Sequence, residues 1–144
     1  MFSASSAMAR LSSLTTSLRR MLLHNSAAAS MLPCAYIAAK ESAVIVGRCA
    51  DYILAGRDNT INVFVYAPRE VRVNRIMARH NLSEAEALKA ISTSDKERGN
   101  HYFRYTDQKW GKAQNYDVCI NSGLMGIEKT AEMLADMAKI EVRA

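Results

Sequence analysis

At 144 residues, with 49% apolar and 23% charged side chains, the chain has the make-up of one globular domain around one core. No run approaches the ~18 apolar residues that a membrane-spanning helix needs, so a soluble protein is expected and no membrane partner. Of the net charge of +5, residues 1–40 supply +4 through Arg10, Arg19, Arg20 and Lys40, and the nearly neutral remainder lacks the basic stripe of a DNA- or RNA-binding face.

Residues 1–30 are rich in Ser and Ala, contain no acid and scatter Arg among Leu and Met. An organelle transit peptide has this composition, and so does a disordered leader. Residues 1–40 are therefore expected to be a leader, irregular or weakly helical, ahead of a folded body at 41–144. The body opens with Ala43-Val44-Ile45-Val46, a continuous β-branched run that stops at Gly47-Arg48 and predicts a buried strand. Two further runs predict strands at 61–66, ending at Ala67-Pro68, and at 117–121, ending at Ser122-Gly123.

Helical patterns fill the intervals. Residues 69–80 carry Val73, Ile76 and Met77 on one side, and Arg69, Arg72, Arg75 and Arg79 on another that is expected to be a solvated face. Ser83-Glu84-Ala85-Glu86 spells a capping box, starting a helix that turns Ala87, Leu88 and Ile91 inward. Ile127, Ala131, Leu134 and Ala138 recur at helical spacing, with Lys139 and Arg143 where a helix dipole favours cations. Strands alternating with helices predict an α/β fold with a parallel sheet.

In such a sheet the ligand crevice lies beyond the carboxyl ends of the strands. Those ends deliver Gly47-Arg48, Ala67-Pro68-Arg69 and Asn121-Ser122 to one rim. Gly47 lets backbone and guanidinium approach a ligand closely, and the planar fork of Arg48 suits a phosphate; pairing of Arg48 with Asp51 is the bland alternative. Segment 92–116 is polar, basic and aromatic with no clear period, which predicts a lid rather than a connector. Lys96, Arg98, Arg104 and Lys109 are placed to close over phosphates, while Tyr102, Tyr105 and Trp110 are expected chiefly to anchor the lid to the core. Cys34, Cys49 and Cys119 form no C-x-x-C pair and the three histidines no ligand pair, so neither a disulfide framework nor a protein metal site is expected.

Taken in order, Val44 through Leu54 with its Gly47-Arg48, the strand ending Val65-Tyr66-Ala67-Pro68, Asp95-Lys96 through Lys109-Trp110-Gly111, and Asn115 through Asn121-Ser122 with Gly126-Ile127-Glu128-Lys129 resemble the cytidylate kinase-like family. The resemblance runs over roughly residues 41–138. It implies a nucleoside-monophosphate kinase fold, with ATP as phosphate donor, a CMP- or dCMP-like acceptor and Mg²⁺ as the shared cation. By position it implies that Arg48 helps hold the acceptor and that Arg98, with Arg104 beside it, meets the transferring phosphates. In typical cytidylate kinases an Asp follows the Gly-Arg and helps read the base; here Cys49 follows, and Asp51 stands two positions on.

One part of that family's apparatus has no counterpart in the sequence. A P-loop wraps phosphates with backbone N–H groups in conformations that need glycine, yet the first glycine here is Gly47 and no G-x-x-x-x-G-K-[ST] run occurs. The expected fold is thus an incomplete P-loop NTPase fold without its P-loop strand, from a kinase fragment, a truncated product or a diverged relative. Two functions follow: a cytidylate kinase-like phosphotransferase impaired for want of the phosphate cradle, or a non-catalytic nucleotide- or phosphate-binding domain. Loss of that strand would leave an apolar sheet edge open to a second copy of the chain. The expected compartment is the cytoplasm, or an organelle if residues 1–30 direct import.

Overall fold

The computed structural model describes residues 28–139, with residues 28–33 as backbone alone. Residues 1–27, most of the expected leader and of its transit-peptide reading, and Arg143 lie outside the described residues. The chain divides into two compact units, residues 1–55 and 56–144. Among the described residues no helix is long and apolar enough to cross a membrane.

In the first unit, helix α1 (Ala28–Lys40) packs on the short helix α2 (Ala50–Ile53). Cys34 of α1 is buried, as are Cys49, Ala50 and Leu54 around α2. Between the helices, the run expected to be a buried strand is neither buried nor a strand. Val44 is 93% exposed and Val46 86% exposed, and among the described residues the sheet holds two strands, both in the second unit. A β-branched run records a preference for a pleated, covered surface; with no strand beside it among the described residues, its N–H and C=O groups join no ladder there.

The second unit is α/β. Strands β1 (Val63–Tyr66) and β2 (Val118–Asn121) pair in parallel, from Val63 opposite Val118 to Tyr66 opposite Asn121. Parallel strands cannot be joined by a tight turn, and the crossover is made by helices α3 (Arg69–His80) and α4 (Glu84–Thr106). Asn62 donates its backbone N–H to Asp117 Oδ2 at 2.7 Å, extending the pairing at the amino end. Pro68 caps α3 at its start, where a missing N–H costs nothing. Asn81 in the left-handed region closes the helix. The capping box forms as the spacing predicts: Ser83 N–H and Oγ–H both donate to Glu86 Oε2, at 2.9 and 2.6 Å, while Ser83 Oγ accepts from Glu86 N.

Helices α3 and α4 meet through Val73, Ala87 and Ile91, with Ile76, Met77 and Leu88 packed around them. The polar segment expected to lack a period is helical as far as Thr106: α4 continues for 23 residues, its buried stripe running Ala87, Ile91, then Tyr102 and Thr106. A 3₁₀ turn (Ala113–Asn115), helix α5 (Ser122–Met125) and helix α6 (Ile127–Met137) complete the unit. On α6 the inward residue is Thr130, whose hydroxyl donates to the Gly126 carbonyl at 2.6 Å. Ile127 is exposed, so the apolar spacing at the start of this helix does not mark its buried side.

Candidate functional site

In the first unit the residues before α2 form a tight left-handed turn. Gly47, Arg48 and Cys49 have φ of 72°, 56° and 53°, and Ala50 N–H donates to the Gly47 carbonyl at 3.1 Å. Three successive residues in this region are unusual, and only Gly47 adopts it without steric cost. The turn leaves Arg48 exposed and turns Cys49 inward. Asp51 lies in the first turn of α2. Burial pushes the Cys49 thiol up to about 11, with Asp51 and Cys34 adding to the effect.

In the second unit the carboxyl ends of β1 and β2 lie side by side, as Tyr66 opposite Asn121 requires. The residues that follow close this end with hydrogen bonds. Ser122 Oγ donates to the Tyr66 carbonyl at 3.1 Å, and Arg75 donates to Ser122 Oγ at 3.2 Å and to the Ser122 carbonyl at 2.9 Å. Gly123 is packed so tightly here that a Cβ would lie 2.6 Å from Pro68 Cδ.

Beside this rim, the first turn of α3 presents Arg72 to α4. Arg72 Nη1 and Nη2 donate to Asp95 Oδ2 and Oδ1, each at 2.7 Å, a bidentate fork with both side chains about one third exposed. Hydrogen bonding from Arg72 holds the Asp95 carboxyl below its ordinary range against the opposing effect of burial, and the same bond raises Arg72. Arg98, one turn further along α4, stands 3.6 Å from Asp95 Oδ1 with its side chain 58% exposed. Its guanidinium lies over the Trp110 ring, 5.9 Å from the centroid. Trp110 in turn packs edge-on against Phe64 of β1 at 5.5 Å, and Phe64 also meets Tyr116 at 5.0 Å. Gly111 carries the chain past this cluster at φ 73°, where a Cβ would sit 3.0 Å from Phe64 Cζ. Arg98 is thus tied to the sheet through Trp110 and to α3 through Asp95. Around Asp95 two positive charges, Arg72 and Arg98, meet one negative, a surplus that suits an anion, while Arg75 is engaged at Ser122.

Of the six residues singled out in the sequence, Gly47, Arg48 and Asp51 fall in the first unit and Lys96, Arg98 and Arg104 on α4. The helix does not gather its three cations. At 100° per residue Lys96 and Arg98 project from nearly opposite sides, and Arg104 follows Arg98 by roughly 9 Å along the axis. Lys96 and Arg104 are exposed. Of the three aromatics of segment 92–116 expected to anchor it, Tyr102 is buried and donates to Gln108 Oε1 at 3.3 Å and Trp110 packs on Phe64 of β1, whereas Tyr105 packs on His101 of its own helix.

The expectation that the arginine run of α3 is a solvated face holds for Arg69 and Arg79 and fails for Arg72 and Arg75, which are half-buried and bonded. Asp95 and its partner were the residues hardest to see. The signal was present, since stepping on from Ala87 and Ile91 at helical spacing places a carboxylate at 95 on the inward stripe. A carboxylate there needs a cation across the interface.

The divalent cation that the family resemblance implies would be held largely by nucleotide phosphates and water, and asks for no cage of protein ligands. Among the described residues no group of three His, Cys, Asp or Glu side chains converges, and the cluster's carboxylate already has both oxygens engaged by Arg72. The guanidinium groups, by contrast, match phosphate oxygens in charge and geometry.

A crystal structure of an uncharacterised protein from Eubacterium ventriosum superposes with a TM-score of 0.65 at 34% identity, covering 70% of this chain and 56% of that one. A uronate isomerase from Corynebacterium glutamicum is 28% identical over 99 residues, 69% of this chain but 19% of that protein. The chain therefore spans about a fifth of that relative's length and just over half of the solved structure. The sequence profile of the cytidylate kinase-like family matches residues 2–124, which takes in the residues expected to be a leader and runs through β2 and most of α5. Matched over most of its length, and with a parallel α/β unit, the chain belongs to the cytidylate kinase-like family.

Proposed function

We propose that this chain carries the phosphate-holding side of a cytidylate kinase-like phosphotransferase, one that moves a phosphoryl group from ATP to a CMP- or dCMP-like acceptor. Membership of the family supports a nucleotide kinase-like function. The observation that carries the finer reading is the cationic cluster beside the carboxyl ends of β1 and β2, where α/β sheets bind ligands. In this proposal Arg98 donates to phosphate oxygens from its exposed guanidinium, and Arg75 and Ser122 keep the rim in shape beneath it. Phosphoryl transfer asks the protein mainly for positioning and charge neutralisation, and a fixed arginine supplies both. Arg48 forms a separate part of the proposal: an exposed fork on a left-handed turn of the first unit, with the geometry to take phosphate oxygens in pairs.

Turnover by these 144 residues alone is proposed to be slight, because they contain no G-x-x-x-x-G-K-[ST] run to cradle the donor's phosphates. A coupled assay with ATP and CMP or dCMP, run beside direct titrations of CMP, dCMP and AMP, tests both halves. Saturable binding of a monophosphate with turnover far below the ~1–100 s⁻¹ of working kinases is the expected result. Turnover within that range would refute the impairment, and absence of monophosphate binding would refute the phosphate site.

A further inference from the structure

We propose that Asp95 is a positioning residue: held by the fork of Arg72, it aims the Arg98 guanidinium at the phosphate. This rests on the reading that Arg98 contacts phosphate. Both carboxylate oxygens of Asp95 are fixed by Arg72 at 2.7 Å, so the carboxylate itself has little freedom. The separation of 3.6 Å from Arg98 Nη1 exceeds a hydrogen-bond distance. Asp95 therefore attracts the guanidinium without occupying its N–H donors, which stay available to a ligand. Trp110 limits the same group from its ring face, and is itself braced on Phe64 of β1. An arginine left to itself samples many rotamers and loses that freedom on binding; one held in advance loses less.

A purely structural role for Asp95 predicts the opposite sign. If Asp95 does no more than tie α3 to α4, then Asp95→Asn removes a negative charge from beside an anion site and should tighten anion binding. If Asp95 aims Arg98, the same change should weaken it. The decisive experiment is calorimetric titration of CMP into the full chain at low salt, for wild type, Asp95→Asn, Arg98→Ala and the double variant, each checked for folding by urea unfolding. Asp95→Asn is expected to lower CMP affinity about two- to tenfold, the range for releasing one ordered side chain. No further loss is expected when the change is made in the Arg98→Ala background, because the effect runs through Arg98. If Asp95→Asn does not fold, Arg72→Lys, which keeps the charge and loses the fork, should show the same dependence on Arg98.

Affinity unchanged or increased in Asp95→Asn overturns the inference, as does an equal loss in both backgrounds. If Arg98→Ala binds CMP as wild type does, the reading of the phosphate site falls, and the inference with it. If Arg98→Ala loses affinity while Asp95→Asn does not, the inference alone falls.

Discussion

Replacing Asp95 by Asn should destabilise the second unit at neutral pH, and by an amount that shrinks in acid. The change leaves Arg72, about one third exposed, facing an amide that can accept at most one of its two 2.7 Å hydrogen bonds. Exposed ion pairs contribute about 0.2–1 kcal/mol and breaking a fully buried pair costs about 3–5 kcal/mol, so this intermediate case should cost about 1–3 kcal/mol. For a unit of this size each kcal/mol lowers Tm by about 4–8 °C. Because the folded state holds Asp95 below its ordinary range, the contribution is fully present above the unfolded carboxyl pKa, ~3.9, and is lost as pH falls through the lower folded value. Urea unfolding followed by circular dichroism at pH 7, 5, 4 and 3 should show wild type and Asp95→Asn converging toward the acid end. A gap that stays constant from pH 7 to pH 3, or a variant as stable as wild type at pH 7, would refute this account of the pair.

Gly123→Ala should cost about 1–3 kcal/mol in the same measurement, because the new Cβ would meet Pro68 Cδ at 2.6 Å and force the rim apart. Ser83→Ala should cost about 1 kcal/mol by removing the acceptor for Glu86 N, and should raise the Glu86 carboxyl, which Ser83 now holds low. Iodoacetamide at pH 8 should label exposed Cys119 first and leave Cys49 intact until the chain is unfolded, since that thiol is buried and pushed up to about 11. Peptide mapping after timed quenching reads the order, and early loss of Cys49 would contradict its burial.

Much of the second unit was legible in the sequence because its signals are local. The β-branched runs ending at Ala67-Pro68 and Ser122-Gly123 became β1 and β2 in parallel, and Ser83-x-x-Glu86 became a capping box with every expected bond. What was not legible depends on partners distant in sequence. Val44-Ile45-Val46 has strand chemistry, yet a strand exists only where another offers its edge. Asp95 and Arg98 occupy stripe positions of α4 that apolar residues would normally hold, and this hid the helical period of 92–106. Arg72 and Arg75 looked like surface charges because their partners, Asp95 and Ser122, lie 23 and 47 residues further along. Charge periodicity along one helix says nothing of what faces it across a crossover.

The claim that matters most is that the arginine cluster beside the carboxyl ends of β1 and β2 holds a phosphate. Calorimetric titration of CMP into wild type, Arg98→Ala and Arg79→Ala tests it most directly, since Arg79 is an exposed arginine in the last turn of α3 with the same charge and no place in the cluster. Loss of a charge-assisted contact of about 1.5–3 kcal/mol should weaken Arg98→Ala about tenfold to a hundredfold, while Arg79→Ala binds as wild type does. Equal affinities in all three chains, or equal losses from the two arginine changes, would contradict a phosphate site at Arg98.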